Sequence, residues 1–139
     1  MASSFDAQVD QWVRQTQARV RAVYRQSVQS VVEQAQTPTF KGGSMRVDTG
    51  FLRNSGTAAL NRMPSGPSEN TGQQQPDWDA EALAAVLSRA DTDDEIVFGW
   101  TANYARVREA QDGFMRLAVQ NWDQIVQREA RNIRRRVMR

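Results

Sequence analysis

An α+β fold is what this sequence predicts, on three observations. Apolar side chains recur at helical spacing over the first 35 residues and again over the last 25. Between them lies Ile96-Val97-Phe98-Gly99-Trp100, whose β-branched and aromatic residues fit a pleated strand. A polar segment rich in Pro, Gly and Gln, from Pro64 to Pro76, has almost nothing to bury. Together these predict one domain over residues 1–139: a long N-terminal helix and a C-terminal helix packed on a small antiparallel sheet, with a long mobile loop at about 64–76.

The first helix is read from Phe5 to Ala35. Phe5, Val9, Trp12, Thr16, Val20, Val23, Ser27 and Val31 share one line of the helix, widened by Val13, Tyr24, Val28 and Val32, which predicts one buried face. Ser3 followed by Asp6 resembles a capping box with a shorter acid, and Asp6 and Asp10 suit the positive end of the helix dipole. Thr37-Pro38 stops the helix. About 30 residues span roughly 45 Å, more than a compact domain of this size needs, so the helix either protrudes or lies along neighbours. Its other face carries Arg14, Arg19, Arg21, Arg25 and several glutamines, a solvated face or a contact with another subunit.

Lys41-Gly42-Gly43-Ser44 reads as a flexible loop. It is not a phosphate cradle, because the lysine precedes the glycines instead of following them. The chain then changes period at Val47-Asp48-Thr49-Gly50-Phe51-Leu52-Arg53-Asn54-Ser55. Asp48 and Thr49 are helix-capping types, Gly50 permits a tight turn, and Phe51-Leu52 is an apolar pair able to plug a single helical turn into a core. A strand from Gly56 to Met63 follows, expected to pair with Ile96–Trp100. Asp77 is expected to cap a helix over Trp78–Ala90 with Leu83, Val86 and Leu87 inside, and Asp91-Thr92-Asp93-Asp94 makes the next turn. After the strand, Thr101–Ala105 and Arg106–Glu109 lead to a turn at Asp112-Gly113. The last helix is read as continuous from Phe114 to Val137, with Arg128, Arg131, Arg134, Arg135, Arg136 and Arg139 in its final turns.

Composition excludes more than it assigns. The chain has no histidine and no cysteine, which removes the usual general base, the commonest metal ligands and any disulfide. Its 18 Lys+Arg against 16 Asp+Glu give a net charge of only +2, so the totals do not force nucleic-acid binding. No apolar run is long enough to span a bilayer. Nor does Met-Ala-Ser-Ser-Phe-Asp have the basic and apolar regions of a signal peptide, so a cytoplasmic product, or a particle assembled there, is expected. The acids Asp91, Asp93, Asp94 and Glu95 crowd together, yet without the glycine and distant glutamate of a Ca²⁺ loop; no cofactor and no metal are expected. Acids dominate from Glu69 to Asp112 while both ends are basic. Copies would attract head to flank, which favours a ring or a stack.

In order and spacing, four features resemble the head-tail joining proteins of long-tailed bacteriophages, also called neck or tail-completion proteins. They are the long amphipathic N-terminal helix; Val47–Ser55, similar to a Thr-Gly-x-Leu-Arg-x-Ser segment; Phe98-Gly99-Trp100 running into Thr101-Ala102-Asn103-Tyr104-Ala105, with Tyr104, Ala105 and Glu109 matching a Tyr-Ala-x-x-x-Glu run; and Gly113-Phe114-Met115-Arg116-Leu117-Ala118, similar to the start of the closing helix. Trp100, where a small residue is common, and the segment from Pro64 to Ala90, usually shorter and more strand-like, depart from the pattern. The resemblance implies a non-enzymatic ring subunit, six-fold, in the virion between the portal side of the capsid and the tail tube. Its partners would be further copies, connector or stopper proteins on one side and tail-tube or tail-terminator proteins on the other. DNA would pass through the lumen without specific binding, and no membrane is involved. On that reading Asp48, Thr49, Gly50, Phe51, Leu52, Arg53, Tyr104, Glu109, Phe114 and Arg116 are motif or subunit-interface residues. Phe51 and Leu52 would seat the turn, Arg53 would reach a neighbour's carboxylate, and Tyr104 would pack against the first helix. The rival reading is a basic helical nucleic-acid-binding protein using Arg134, Arg135 and Arg136.

Overall fold

The computed structural model describes residues 2–72 and 77–137, with side chains from Ser4 onward. The expected Ser3 cap, Gln73–Pro76 of the polar loop and Arg139 lie outside the described residues. The fold is α+β. Helix α1 runs Ala2–Ala35, α2 is the single turn Phe51–Asn54, β1 is Gly56–Leu60, α3 is Ala80–Arg89 and β2 is Ile96–Trp100. Three further helices follow: α4 (Ala105–Asp112), α5 (Phe114–Gln120) and α6 (Trp122–Val137).

The two strands pair antiparallel, as expected, with Gly56 opposite Trp100 and Leu60 opposite Ile96, and β1 ends at Leu60, short of the expected Met63. A two-stranded sheet is marginal alone. Here α3 lies over β1, and α1 packs against α3, α5 and α6. Val32, Leu83 and Leu87 form one buried cluster, with Val28, Val31, Ala58, Ile96 and Phe98 around it.

Four sequence expectations are corrected. The cap of α3 is Asp79, whose carboxylate accepts from the N–H groups of Glu81 and Ala82 at 3.0 and 3.1 Å; Asp77 precedes the helix start. Residues 105–112 form a helix where an irregular lead into a turn was expected, and Gly113 ends it at φ 66. The C-terminal helix is two helices, because Asn121 leaves the helical region at φ −90, ψ 8 and its N–H bonds back to the Ala118 carbonyl. Finally, the glycine loop is built, not loose. A 3-10 turn at Thr39–Lys41 is closed by hydrogen bonds from Thr39 N to Met45 O and from Gly43 N to Pro38 O. A Cβ on Gly43 would run into the Thr37 carbonyl oxygen, so only glycine fits this approach.

The basic face of α1 is only partly solvated. Arg25 Nε donates to the Ala90 carbonyl (2.8 Å), the Tyr24 hydroxyl to the Asp94 carbonyl (2.9 Å), and Arg21 lies 3.4 Å from Asp91. Three side chains thus tie α1 to the acidic turn. Inside the turn the Asp94 carboxylate accepts from Asp91 N (2.8 Å) and from the Asn61 amide (3.0 Å). Asn61 itself stands at φ 60, tolerable for asparagine, and its side-chain oxygen accepts from Glu95 N.

These bonds hold two carboxyls below the ordinary aspartate value of 3.8: Asp91 through the N–H of Thr92 and then Arg21, Asp94 through the N–H of Asp91 and then Asn61. A depressed folded pKa contributes stability that is present above the unfolded value and is lost as pH falls through the folded one. Thermal stability should therefore decline as the solution is acidified below 3.8, and Asp94→Asn should flatten that decline. Asp91 is exposed and Asp94 only half-buried, so the effect is small; melting curves from about pH 5 to pH 2 read it.

Candidate functional site

Motif residues from distant parts of the chain meet in one place. Met45, Phe51, Leu52, Ala102 and Phe114 form the second buried cluster, with Trp100, Tyr104 and Ala105 packed against it. Phe51 and Leu52 are 2 % and 5 % exposed, as an apolar plug requires. The Tyr104 ring lies 6.2 Å from that of Phe51, so its partner is the α2 turn rather than the expected first helix. Trp100 stands edge-on to Phe114 at 4.8 Å and to Phe98 at 5.1 Å. The unusual tryptophan therefore links the sheet to the C-terminal helices.

The turn into α2 differs in one detail from its sequence reading. Gly50, at φ 86, is the cap residue itself, while Thr49 Oγ1 accepts from Phe51 N at 3.3 Å. Asp48 makes no cap and stands exposed. A side chain at Gly50 would be strained by the left-handed backbone.

Arg53 is committed within the chain. Its Nε donates to the Gln36 carbonyl (2.9 Å), the Gln36 amide nitrogen donates back to the Arg53 carbonyl (2.9 Å), and its guanidinium lies 5.4 Å from the centre of the Trp78 ring. No carboxylate pairs with it among the described residues. Gln36, 1 % exposed, also accepts from Trp100 Nε1 at 2.8 Å. This buried amide, which joins α1, α2 and β2, was missed in the sequence, where a glutamine beside Thr37-Pro38 reads as a solvated helix end.

Glu109 has a clear task. Its two carboxylate oxygens accept from the backbone N–H groups of Met115 (2.8 Å) and Arg116 (2.9 Å), capping α5 from the preceding helix. The Tyr-Ala-x-x-x-Glu run and the closing element are thereby one unit. The Arg116 guanidinium folds back over Gly113, within 2.8 Å of where a Cβ would stand. Glu109→Ala should cost about 1–2 kcal/mol, with Glu109→Gln intermediate; urea unfolding monitored by tryptophan fluorescence measures both.

Beside this cluster opens a cleft of about 720 Å³ with Arg46, Asp48, Arg53, Tyr104 and Arg108 on its walls. Asp112 binds Arg108 at 2.8 Å and Arg46 at 3.7 Å. The cleft opens by Leu52, Arg53 and Tyr104, near the Gly56–Trp100 end of the strand pair, and the acidic turn at Asp91–Glu95 lies at the other end, before Ile96. Part of the polar loop docks at the cleft end: Thr101 Oγ1 donates to the Pro67 carbonyl (2.7 Å) and Asn103 N to that of Ser68 (2.8 Å). Arg134, Arg135 and Arg136 are exposed on the last turn of α6, apart from the cluster. Among the described residues no group of three or more Asp or Glu side chains is placed to hold a metal ion, and no helix is long and apolar enough to cross a membrane. Comparison with protein-family models, curated proteins and solved structures finds no match to this chain.

Proposed function

We propose that the chain is a structural ring subunit of the head-tail junction of a long-tailed bacteriophage. It would join the portal-connector side to the tail tube around the DNA channel. The observation that carries this reading is the convergence of the resemblance-bearing residues: Phe51, Tyr104, Glu109 and Phe114, separated by up to 63 positions in the sequence, belong to one cluster and its cap. The charge layout supports it as well. A cleft with three arginines on its walls sits toward one end of the strand pair and an acidic turn at the other, with Asp93 and Glu95 exposed. A basic end meeting the acidic end of the next copy is a head-to-tail contact, the kind that closes into rings. In that contact Arg46, whose side chain is exposed, reaches the neighbour, while Asp112 holds Arg108 and Gln36 holds Arg53 at the cleft wall.

The exposed Arg134–Arg136 favour the second reading, nucleic-acid binding. Co-sedimentation separates the two. A joining subunit pellets with portal-bearing capsids or with tails and binds DNA weakly at every salt concentration. A DNA-binding protein ignores the particles, and its affinity falls steeply with salt and collapses when Arg134, Arg135 and Arg136 are neutralised.

A further inference from the structure

The N-terminal half of α1 leaves an apolar stripe uncovered. Phe5, Val9, Trp12, Val13 and Val20 are 69, 42, 65, 38 and 52 % exposed, and with Thr16 they follow one face at steps of three and four. The same face is covered further on. Ser27 is fully buried and Ser30 Oγ bonds the Glu129 carboxylate at 3.0 Å. Helix α6 runs antiparallel to α1, with Glu129 by Ser30 and with Ile133 and Val137 by Val23 and Arg19, so the bare stripe begins where α6 ends. At that junction a groove of about 320 Å³ has Val23, Ala130, Ile133 and Val137 on its walls and Arg19 and Arg134 beside them. Stripe and groove are continuous.

We infer that a second copy of this chain covers the stripe, its α1 antiparallel to the first about a two-fold axis near Trp12 and Val13. The charges select this occupant. In the exposed half of α1 the acids Asp6 and Asp10 precede the arginines Arg14 and Arg19. Neither acid has an ion-pair partner among the described residues. An antiparallel partner places its Phe5 opposite Val20, each about 11 Å from the axis at 1.5 Å per residue. Its Phe5 then reaches the groove end, and its Asp10 comes level with Gln15, on the flank that carries Arg14. Because the contact is isologous, each copy fills the other's groove and the pair is closed. A parallel partner would bring Asp6 beside Asp6 and leave both grooves empty. This pairing belongs to the free chain: it uses a different surface from the head-to-tail contact, does not rest on the joining role, and opens where six copies form a single-layer ring, because a two-fold pair added to a ring makes two layers.

The chain has no cysteine, so single-cysteine variants of the full chain report the arrangement cleanly. Light scattering on the purified chain should give a dimer that dissociates on dilution, and Trp12→Glu should weaken it about 30-fold or more while leaving the circular dichroism of the fold unchanged. With a short bis-maleimide, Val13→Cys should cross-link to itself. Phe5→Cys should not, but should cross-link when mixed with Val20→Cys. A monomer at all concentrations, a Trp12→Glu variant that still dimerises, or Phe5→Cys linking to itself overturns the pairing. So does a stripe that instead carries the chain onto phosphatidylglycerol vesicles or duplex DNA. A hexamer that Trp12→Glu leaves intact would overturn it while leaving the joining role standing.

Discussion

Phe114→Ala should be the most damaging single change in the chain, at about 3–5 kcal/mol. The ring is 2 % exposed, stands edge-on to Trp100 at 4.8 Å, and opens α5 directly after the Gly113 turn. Removing it leaves a cavity bordered by Met45, Phe51, Leu52 and Ala102, residues held by three separate segments, so the site cannot collapse without moving α2 or β2. A domain of this size has only about 5–15 kcal/mol in total, and the midpoint of thermal unfolding should fall by roughly 10–15 °C. Phe114→Leu, which keeps most of the volume, should recover more than half of that loss. If both variants melted within about 2 °C of the parent, the cluster would not be the core that the packing describes.

Gln36→Leu should come second, at about 2–4 kcal/mol. Leucine keeps the volume but strands two partners at once: Trp100 Nε1 loses its acceptor and the Arg53 carbonyl loses its donor. The Gln36 main chain still accepts from Arg53 Nε, so α2 remains tethered, though by one bond instead of two. Gln36→Glu separates polarity from shape. It preserves the acceptor for Trp100 and turns an oxygen toward the Arg53 carbonyl, which requires that oxygen to carry a proton. Its deficit should therefore be smallest at low pH and grow as pH rises through the carboxylate range, the opposite of the trend set by Asp91 and Asp94. Urea titrations of the three proteins at two pH values resolve both effects.

Local signals in the sequence carried much of this fold. The helical period of α1, the Thr37-Pro38 stop and the β-branched run of β2 each depend on a few neighbouring residues, and each is where it was expected. What escaped was decided across the chain. Residues 105–112 read as irregular because Val107, the large apolar residue of that segment, points to solvent at 58 % exposure and marks no buried face. Either Asp77 or Asp79 is an acceptable cap type, and residue type alone does not choose between them; the helix starts after Asp79. Glu109 lies in one helix and caps another, so no capping pattern within a single helix announces it.

The stripe of α1 was legible as apolar but not as uncovered, since periodicity gives the face and not its partner. At the candidate site, Phe51, Leu52 and Phe114 were visible as apolar residues beside turn signals, and the structure buries all three. Arg53 was expected to look outward for a carboxylate. It faces Gln36 and Trp78 instead, a pairing between residues 17 and 25 positions away that no spacing rule predicts.

The proposed joining role is tested most directly by electron microscopy of the tagged chain with portal-bearing capsids and tails of a long-tailed phage. The account predicts one layer of symmetric density at the capsid-tail junction, six copies about the channel, and a layer that fails to form when the charge of Arg46 is reversed. Particles that join and hold their DNA without this chain, with no density for it at the junction, would contradict it.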